Sequence, residues 1–458
     1  MNYYETISQL ETLKPEGKKL AFCEETGIIY YYDPVSGAYI DNINVLWTGK
    51  QGDTRWVNIA MSPFDSTQID AFSRIRVSQP FNIFDSKQLN NVNNIYYWTS
   101  QTLGGGTITY QPTRSESSLS VGTASGDRAT KQTKEYFNYQ PGKSQLVLCT
   151  GKFAVHKENL RQRIGLFDND NGIFYLLQNS GFNVVIRSNA SGSVVDNIIN
   201  QNNFNIDKLD GSKGPLNPSG ITLDITKVHI FIINFQWLGV GSVMMTLDIG
   251  GKIIPVHRFD HSNLIDFVYA GKINLPIRYD IVNTDITPSS STMTQICSSV
   301  ISEGGSNPKI LSRGINTEAT RTVSTIYYPI ISIRKKAANI RENVLYKELF
   351  LSLTTGDTVL FQIRLNPTLT GPSWTSAATN SFIEYDITST ALTGGDILYN
   401  GAIAGKYDSA STTLQSDFDD TLKILSNFSG TSDILTLCAR SIAVNATLVG
   451  GINWDEVI

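Results

Sequence analysis

The sequence has 458 residues, with 37 Lys plus Arg against 41 Asp plus Glu, so the formal net charge is -4 and only 17% of the residues are charged. This balance is too neutral for a nucleic-acid coat, and with 41% apolar residues the chain is too apolar to be disordered. Aromatic residues reach 10%, and Ser, Thr, Asn and Gly are frequent, which is typical of β-rich proteins with many turns.

Turn and strand patterns divide the chain into four segments. Residues 1–60 carry short aromatic and β-branched runs between turn residues and predict a small β-hairpin module. Residues 61–112 are irregular and predict a connector packed on the sandwich that follows. Residues 113–350 predict a central β-sandwich, and residues 351–458 predict a C-terminal β-rich domain.

The clearest strand pattern in the sequence lies at residues 228–237. Alternation places two sets of side chains on opposite faces: His229, Phe231, Ile233, Phe235 and Trp237 on one, and Val228, Ile230 and Ile232 on the other. A strand that is apolar on both faces lies deep in a layered β structure. Glycines after this strand and at Gly250-Gly251 predict two reversals, and hence three consecutive antiparallel strands ending at residues 252–259.

The fold class that we predict is all-β: an antiparallel, concanavalin-like β-sandwich or jelly roll in the centre, with additional small β modules. Helices are expected to be few. Apolar residues recur at spacings of three and four only at residues 5–14 and 340–351, which predicts a helix at each place.

The start of the sequence and its apolar stretches bear on secretion and on membrane insertion. No basic patch followed by an apolar core opens the sequence, so we predict no secretory signal and folding in a cytoplasm. No apolar stretch approaches the roughly 20 residues of a membrane helix, so we predict no membrane partner.

Motifs for metal, cofactor or catalysis are weak. The four cysteines, Cys23, Cys149, Cys297 and Cys438, form no CxxC pair and predict buried free thiols. The pair His257 and His261 lacks the glutamate of the metalloprotease helix, because Arg258 stands there. Residues 168–172 predict a polar hairpin turn rather than a calcium loop. We therefore predict no catalytic residue, no metal and no cofactor, although paired acids for glycoside hydrolysis need no proximity in sequence.

Several strings look familiar together. They are AFSRIRVSQPF at residues 71–81, FDSK at 84–87, RIGLFD at 163–168, FQWLGVG at 235–241, QICS at 295–298, ISEGG at 301–305 and SDIL at 432–435. In this order they resemble a family of β-rich virion structural proteins of tailed phages of aquatic bacteria and of some large DNA viruses. The similarity covers about residues 61–458, and residues 1–60 look variable, as an attachment module would.

The resemblance implies a structural rather than catalytic role, because the family offers no catalytic motif to carry over. The leading hypothesis is a non-enzymatic virion protein, located in the virion as a capsid decoration, fibre or tail component. Its partners would be other virion proteins and further copies of itself, with a trimer favoured. A receptor- or carbohydrate-binding fibre that contacts a host-surface glycan is the alternative, and a polysaccharide-cleaving tail spike is the third hypothesis.

One interface is predicted within the first two strings. Arg74 and Arg76 alternate with apolar residues as on a partly covered strand, and the interface residues would be Arg74, Arg76, Phe81, Phe84 and Asp85. The alternative is packing within one domain.

Overall fold

The computed structural model describes residues 79–89, 96–212, 216–404 and 422–458, together with the backbone of strands that lie outside these ranges. The chain forms two compact units. The first comprises residues 1–95, 100–131 and 139–306, and the second comprises residues 96–99, 132–138 and 307–458. The predicted helix at residues 5–14 and the interface residues Arg74 and Arg76 lie outside the described residues.

The first unit contains a small sheet and two large ones. The small sheet is formed by β1 (Asn2–Tyr4), β2 (Lys19–Cys23), β3 (Ile28–Asp33), β4 (Val45–Trp47) and β5 (Arg55–Asn58), in the order β1-β2-β3-β5-β4. Its strands pair antiparallel except for β1 and β2, which are parallel.

An eight-stranded sheet forms one layer of the sandwich. Its strands are β6 (Pro80–Lys87), β8 (Thr107–Gln111), β9 (Glu116–Val121), β11 (Gln145–Lys152), β16 (His229–Phe235), β17 (Val243–Ile249), β18 (Lys252–Phe259) and β20 (Ser291–Glu303). The order is β18-β17-β16-β11-β20-β9-β8, and β6 also pairs with β20.

A seven-stranded sheet forms the other layer. Its strands are β7 (Trp98–Leu103), β10 (Arg128–Thr133), β12 (Leu160–Phe167), β13 (Gly172–Gln178), β14 (Gly181–Ser188), β15 (Val195–Asn200) and β19 (Ile277–Asn283), in the order β15-β14-β13-β12-β19-β10-β7. A single-turn 3₁₀ helix at Gln201–Asn203 follows β15.

Aromatic side chains hold the two large sheets together. The rings of Tyr175 on β13 and Phe231 on β16 lie 5.0 Å apart between centroids. The Tyr175 hydroxyl also lies 2.9 Å from the carbonyl oxygen of Ile232 and 2.7 Å from that of Thr246, on the opposite sheet. Tyr175 is fully buried, so its ring and its hydroxyl both contribute to the contact between layers.

The second unit is another two-layer β structure. One six-stranded sheet contains β21 (Ile310–Asn316), β22 (Arg321–Val323), β24 (Val344–Thr355), β31 (Ala410–Gln415), β32 (Lys423–Ile424) and β34 (Ala446–Val457). The other contains β23 (Tyr328–Lys335), β25 (Val359–Leu365), β27 (Thr375–Ser376), β28 (Ile383–Asp386), β30 (Asp396–Ile403) and β33 (Ile434–Ser441). The strands β26 (Thr368–Thr370) and β29 (Ala391–Thr393) form a separate pair.

An apolar core lies between these two sheets. It is contributed by both of them and includes Ile330, Leu351, Leu437 and the fully buried Trp454. A Cβ at Gly450 would lie 3.0 to 3.2 Å from Ile330, Leu437 and Leu351, which shows how closely the layers approach there.

The predicted fold class is confirmed, because both units are built from antiparallel sheets packed in layers and the first unit is a jelly-roll sandwich. The strand β18 has the predicted limits of residues 252–259. The predicted boundary at residue 350 falls inside β24, whereas the two units divide after residue 306. Within the described part of the chain, no helix is long and apolar enough to cross a membrane.

The predicted helix at residues 340–351 is wrong. A single-turn 3₁₀ helix occupies Ala337–Asn339, and β24 begins at Val344. A β-bulge between Tyr346 and Glu348 shifts the register of β24 against β34. The buried positions of β24 are therefore 344, 346, 349, 351 and 353, and the extra residue between 346 and 349 imitates helical spacing in a strand.

Candidate functional site

A groove of about 460 Å³ opens at one edge of the first sandwich. One wall is the β14–β15 hairpin, which contributes Ile186, Ser188, Ser191, Val195 and Asn197. The opposite wall is the segment after β18, residues 264–268, and the floor is formed by His261 and Tyr269. Because β15 and β18 are the outermost strands of their sheets, the groove lies where both layers end.

The segment after β18 exposes apolar side chains. Phe267 is 58% exposed and Leu264 is 69% exposed, although both line the groove. Asp266, Asn197, Ser188 and Ser191 supply polar groups to the same lining. An apolar concave surface with a few polar groups is the usual composition of a small-molecule site.

The two walls are linked by one buried amide. Asn171, which is fully buried in the turn before β13, donates from Nδ2 to Asn189 Oδ1 at 3.0 Å and accepts from the backbone N–H of Gly271 at 2.9 Å. Asn189 follows β14 and Gly271 follows the floor residue Tyr269. A Cβ at Gly271 would lie 2.6 Å from Asn189 Oδ1, so a larger residue there would displace the Asn189 side chain.

The groove floor is a stack of aromatic rings. The rings of His261 and Tyr269 are stacked with centroids 4.2 Å apart. His261 Nδ1 lies 2.6 Å from the carbonyl oxygen of Gly241, and the Tyr269 hydroxyl donates to the carbonyl oxygen of Gln236 at 3.0 Å. Burial lowers the pKa of His261, so its ring is neutral near pH 7 and serves as an apolar surface beneath the groove.

The second histidine of the predicted pair lies apart from the groove lining. Burial lowers the pKa of His257 to about 4, and its Nδ1 accepts from the backbone N–H of Asn205 at 3.3 Å. No cluster of three or more potential ligands that could hold a metal ion occurs among the described residues. Both histidines are therefore held by backbone partners.

The outer face of the seven-stranded sheet carries a buried ion-pair network. Asp280 on β19 is fully buried and accepts from Arg163 Nη2 at 2.7 Å, Arg128 Nε at 3.0 Å and Thr130 Oγ1 at 2.6 Å. Although burial opposes ionisation, the attraction of Arg163 and Arg128 holds the pKa of Asp280 well below its usual range. The carboxylate is committed to these partners, which makes the network structural.

Arg161 extends this positive region. Its Nε is buried and has no hydrogen-bond partner among the residues that the structure describes. Burial, together with the neighbouring charge of Arg163, lowers the pKa of Arg161 to about 10. No feature of the sequence other than the string at residues 163–168 pointed to this face, because Asp280 is 117 residues away from Arg163.

The turn at residues 168–172 is the predicted polar hairpin. Asp168 Oδ1 accepts from the backbone N–H groups of Asp170 at 2.8 Å and Asn171 at 2.9 Å. The carboxylate thus closes an Asx turn.

The cysteine prediction holds in part. Cys149 and Cys438 are buried free thiols, whereas Cys297 is an exposed one. Burial raises the pKa of Cys149 to about 12 and that of Cys438 to about 11. Cys297 lies on β20, opposite Lys87 of β6, where the sheet face is open. Cys23 lies outside the residues whose side chains are described.

The described members of the predicted interface are three residues on β6. Phe84 is 7% exposed and faces Val300 of β20, so it packs within its own sandwich. Phe81 is 46% exposed, and Asp85 is exposed and accepts from Asn82 Nδ2 at 3.1 Å. The interface stays a prediction for Phe81 and Asp85, which are accessible to a partner.

Several solved structures that resemble part of this chain are named as glycosyl hydrolases or glucanases. A glycosyl hydrolase family protein from Mycobacterium fortuitum is 11% identical, with a TM-score of 0.32, and the match covers 48% of this chain and 99% of that one. A β-glucanase from Bacillus licheniformis is 12% identical, with a TM-score of 0.30 and coverages of 48% and 96%. A β-1,3-glucanase from Mycobacterium marinum is 11% identical, with a TM-score of 0.33 and coverages of 48% and 98%. No family model and no curated protein matches the chain.

The prediction that the chain is not an enzyme is contradicted by this comparison, because the solved structures that it resembles are enzymes. The likeness itself assigns no activity, substrate or catalytic residue to this chain. The virion location, the virion partners and the trimer stay predictions.

Proposed function

We propose that the first sandwich binds a carbohydrate in the groove between the β14–β15 hairpin and residues 264–268. The observation that carries this proposal is the exposed ring of Phe267 beside polar side chains in one concave lining. A pyranose ring has an apolar C–H face and a rim of hydroxyl groups, and this lining offers a partner to each.

Stacking would come from Phe267, because its ring is more than half exposed and an aromatic ring provides a rigid apolar surface at small entropic cost. Hydrogen bonds would come from Asp266 and Asn197. An ionised carboxylate accepts from hydroxyl groups more strongly than a neutral group does, which makes Asp266 the residue that orients the sugar.

Cleavage of the glycan is a separate question that the same groove raises. Hydrolysis of a glycosidic bond ordinarily uses two carboxyl groups that flank the bond. Asp266 is the only carboxylate among the described residues that line the groove, so these residues supply one of the two carboxyl groups. To test for cleavage, release of reducing ends is measured together with binding on the same samples.

A glycan array with the full chain tests the proposal, followed by calorimetric titration with the best oligosaccharide. We expect Phe267→Ala to weaken binding about tenfold or more, because a loss of about 1.4 kcal/mol corresponds to tenfold. Phe81→Ala is the matched control, since Phe81 is similarly exposed on β6 and does not line the groove. An array without hits, or equal binding by the wild type and Phe267→Ala, would contradict the proposal.

The sequence resemblance adds a proposal about where this binding acts. In a virion, repeated copies would present many such grooves to a host-surface glycan and raise the avidity without new contacts. Cryo-electron microscopy of purified particles tests this location. Density repeated over the shell indicates a capsid component, density at one vertex indicates a tail component, and absence of the chain from particles removes the virion proposal.

A further inference from the structure

A lysine lies inside the first sandwich next to a primary amide. Lys131 on β10 is 2% exposed, and Gln88, which follows β6, is 1% exposed. Lys131 Nζ lies 3.1 Å from Gln88 Oε1 and 2.7 Å from Ser117 Oγ. The Ser117 hydroxyl also lies 3.1 Å from Gln88 Oε1 and donates to it. An amine, a hydroxyl and a carboxamide therefore meet in a site closed to bulk water.

The amine is prepared to act as a nucleophile. Burial lowers the pKa of Lys131 from 10.5 to about 7, because a charged ammonium is poorly solvated in the interior. A large fraction of the side chain is then the neutral amine near pH 7, and the neutral form carries the lone pair that attacks carbonyl carbon.

The carboxamide oxygen accepts two hydrogen bonds, one from the Ser117 hydroxyl and one from Lys131 Nζ. When Lys131 Nζ leaves this oxygen to attack Cδ, the Ser117 hydroxyl remains as the donor that stabilises the negative charge on the oxygen. The amide nitrogen Nε2 is buried and has no hydrogen-bond partner among the described residues. The leaving group is therefore not held in place.

We propose that Lys131 and Gln88 join in an amide cross-link inside the first sandwich. The lone pair of Nζ attacks Cδ, the Nζ–Cδ bond forms and the Cδ–Nε2 bond breaks. One proton passes from Nζ to the departing nitrogen, which leaves as ammonia. The reaction needs no oxidant, reductant or further reactant, and the only atoms lost from the protein are those of one ammonia molecule.

The cross-link would join the two layers of the sandwich. Gln88 follows β6, which pairs with β20 of the eight-stranded sheet, whereas Lys131 lies on β10 of the seven-stranded sheet. The linked residues are 43 apart in sequence. A covalent link across a loop of this length restricts the unfolded chain, as a disulfide would, but it forms without an oxidising compartment.

Intact mass of the denatured wild-type chain is the test. We expect a mass below that of the sequence by one ammonia, and a proteolytic peptide pair that contains Lys131 joined to Gln88. Lys131→Met and Gln88→Met should each have the full sequence mass and should unfold at a lower temperature than the wild type. Lys152→Met is the control, because Lys152 lies on β11 away from Gln88 and should leave the cross-link intact.

Two results would overturn the proposal, and neither requires a variant to fold. One is a wild-type chain of full sequence mass after prolonged incubation at pH 8. The other is a cross-link between Lys131 and a different amide. Gln295 is the relevant alternative, because it is fully buried and lies opposite Ser117 in the register of β20 and β9. Its amide atoms have no hydrogen-bond partner within the described part of the chain.

Discussion

Asp280→Asn is the sharpest test of the ion-pair network on the seven-stranded sheet. The substitution keeps the shape of the side chain and removes its charge. Asp280 is fully buried, and the side chains of its partners Arg163 and Arg128 are 5% and 23% exposed. In the variant, Arg163 keeps its charge in the interior with no carboxylate at hydrogen-bond distance, whereas Arg128 reaches water more easily.

The expected loss follows from this difference in exposure. Removal of one partner from a buried ion pair costs about 3–5 kcal/mol, because the remaining charge is left uncompensated. We expect Asp280→Asn to lower the free energy of unfolding within this range, with most of the loss arising from Arg163. Urea denaturation of the full chain, followed by circular dichroism and tryptophan fluorescence, measures it.

Asp285→Asn is the matched control. Asp285 lies just beyond β19, is exposed, and its Oδ1 accepts a hydrogen bond from the backbone N–H of Ile286. Its substitution should change the stability by about 0.5 kcal/mol or less. A loss of unfolding free energy below about 1 kcal/mol for Asp280→Asn would refute the reasoning. It would mean that the desolvation cost of burying the ion pair nearly equals the Coulomb attraction between its charges.

The dependence of stability on pH in the acid range is a second measurement of the same network. The pKa of Asp280 is lower in the folded state than in the unfolded state, so its contribution is present above the unfolded pKa and is lost as the pH falls towards the folded one. Asp280→Asn should therefore weaken the dependence of the unfolding free energy on pH below about pH 4.

Three further predictions concern single side chains of the first sandwich. Tyr175→Phe should cost about 1–3 kcal/mol in urea denaturation, because the buried N–H of Thr246 loses its acceptor, the Tyr175 hydroxyl, at 2.8 Å. Gly165→Ala should cost about 1–3 kcal/mol in the same assay, because the added Cβ would lie 2.5 Å from the carbonyl oxygen of Ile173. As the pH is lowered from 6.5 to about 4, the melting temperature should fall, because His257 binds a proton in the unfolded chain but stays neutral in the folded one. His257→Gln should make the melting temperature less dependent on pH in this range, and an unchanged pH dependence in this variant would contradict the prediction.

The central strands could be predicted from the sequence because their determinants are local. Alternation along β16 and the glycines after it define each strand and each reversal within a few residues. The limits of β18 were predicted correctly for this reason. The strand β24 was misread because its bulge depends on pairing with β34, about a hundred residues later, and the local spacing alone favours a helix.

The groove could not be predicted, because its walls meet through distant contacts. Asn171 and Gly271, which join the two walls, are 100 residues apart. The residues 264–268 have neither strand alternation nor a motif, so the sequence offers no sign that they face the β14–β15 hairpin. The sequence motif around His261 was tested for a metal site and did not fit one, whereas the structure places the ring of His261 under the groove.

The position of the groove predicts that its lining can be changed without loss of the fold. The hairpin wall ends in β15 and the other wall follows β18, and each of these strands is the outermost one of its sheet. Phe267 and Asp266 lie on the connecting segment and contribute to neither inter-strand ladder. Substitutions there should therefore change ligand binding with little change in stability, whereas substitutions of Asp280 or Tyr175 should change stability first. This separation lets binding and folding be measured independently in the same chain.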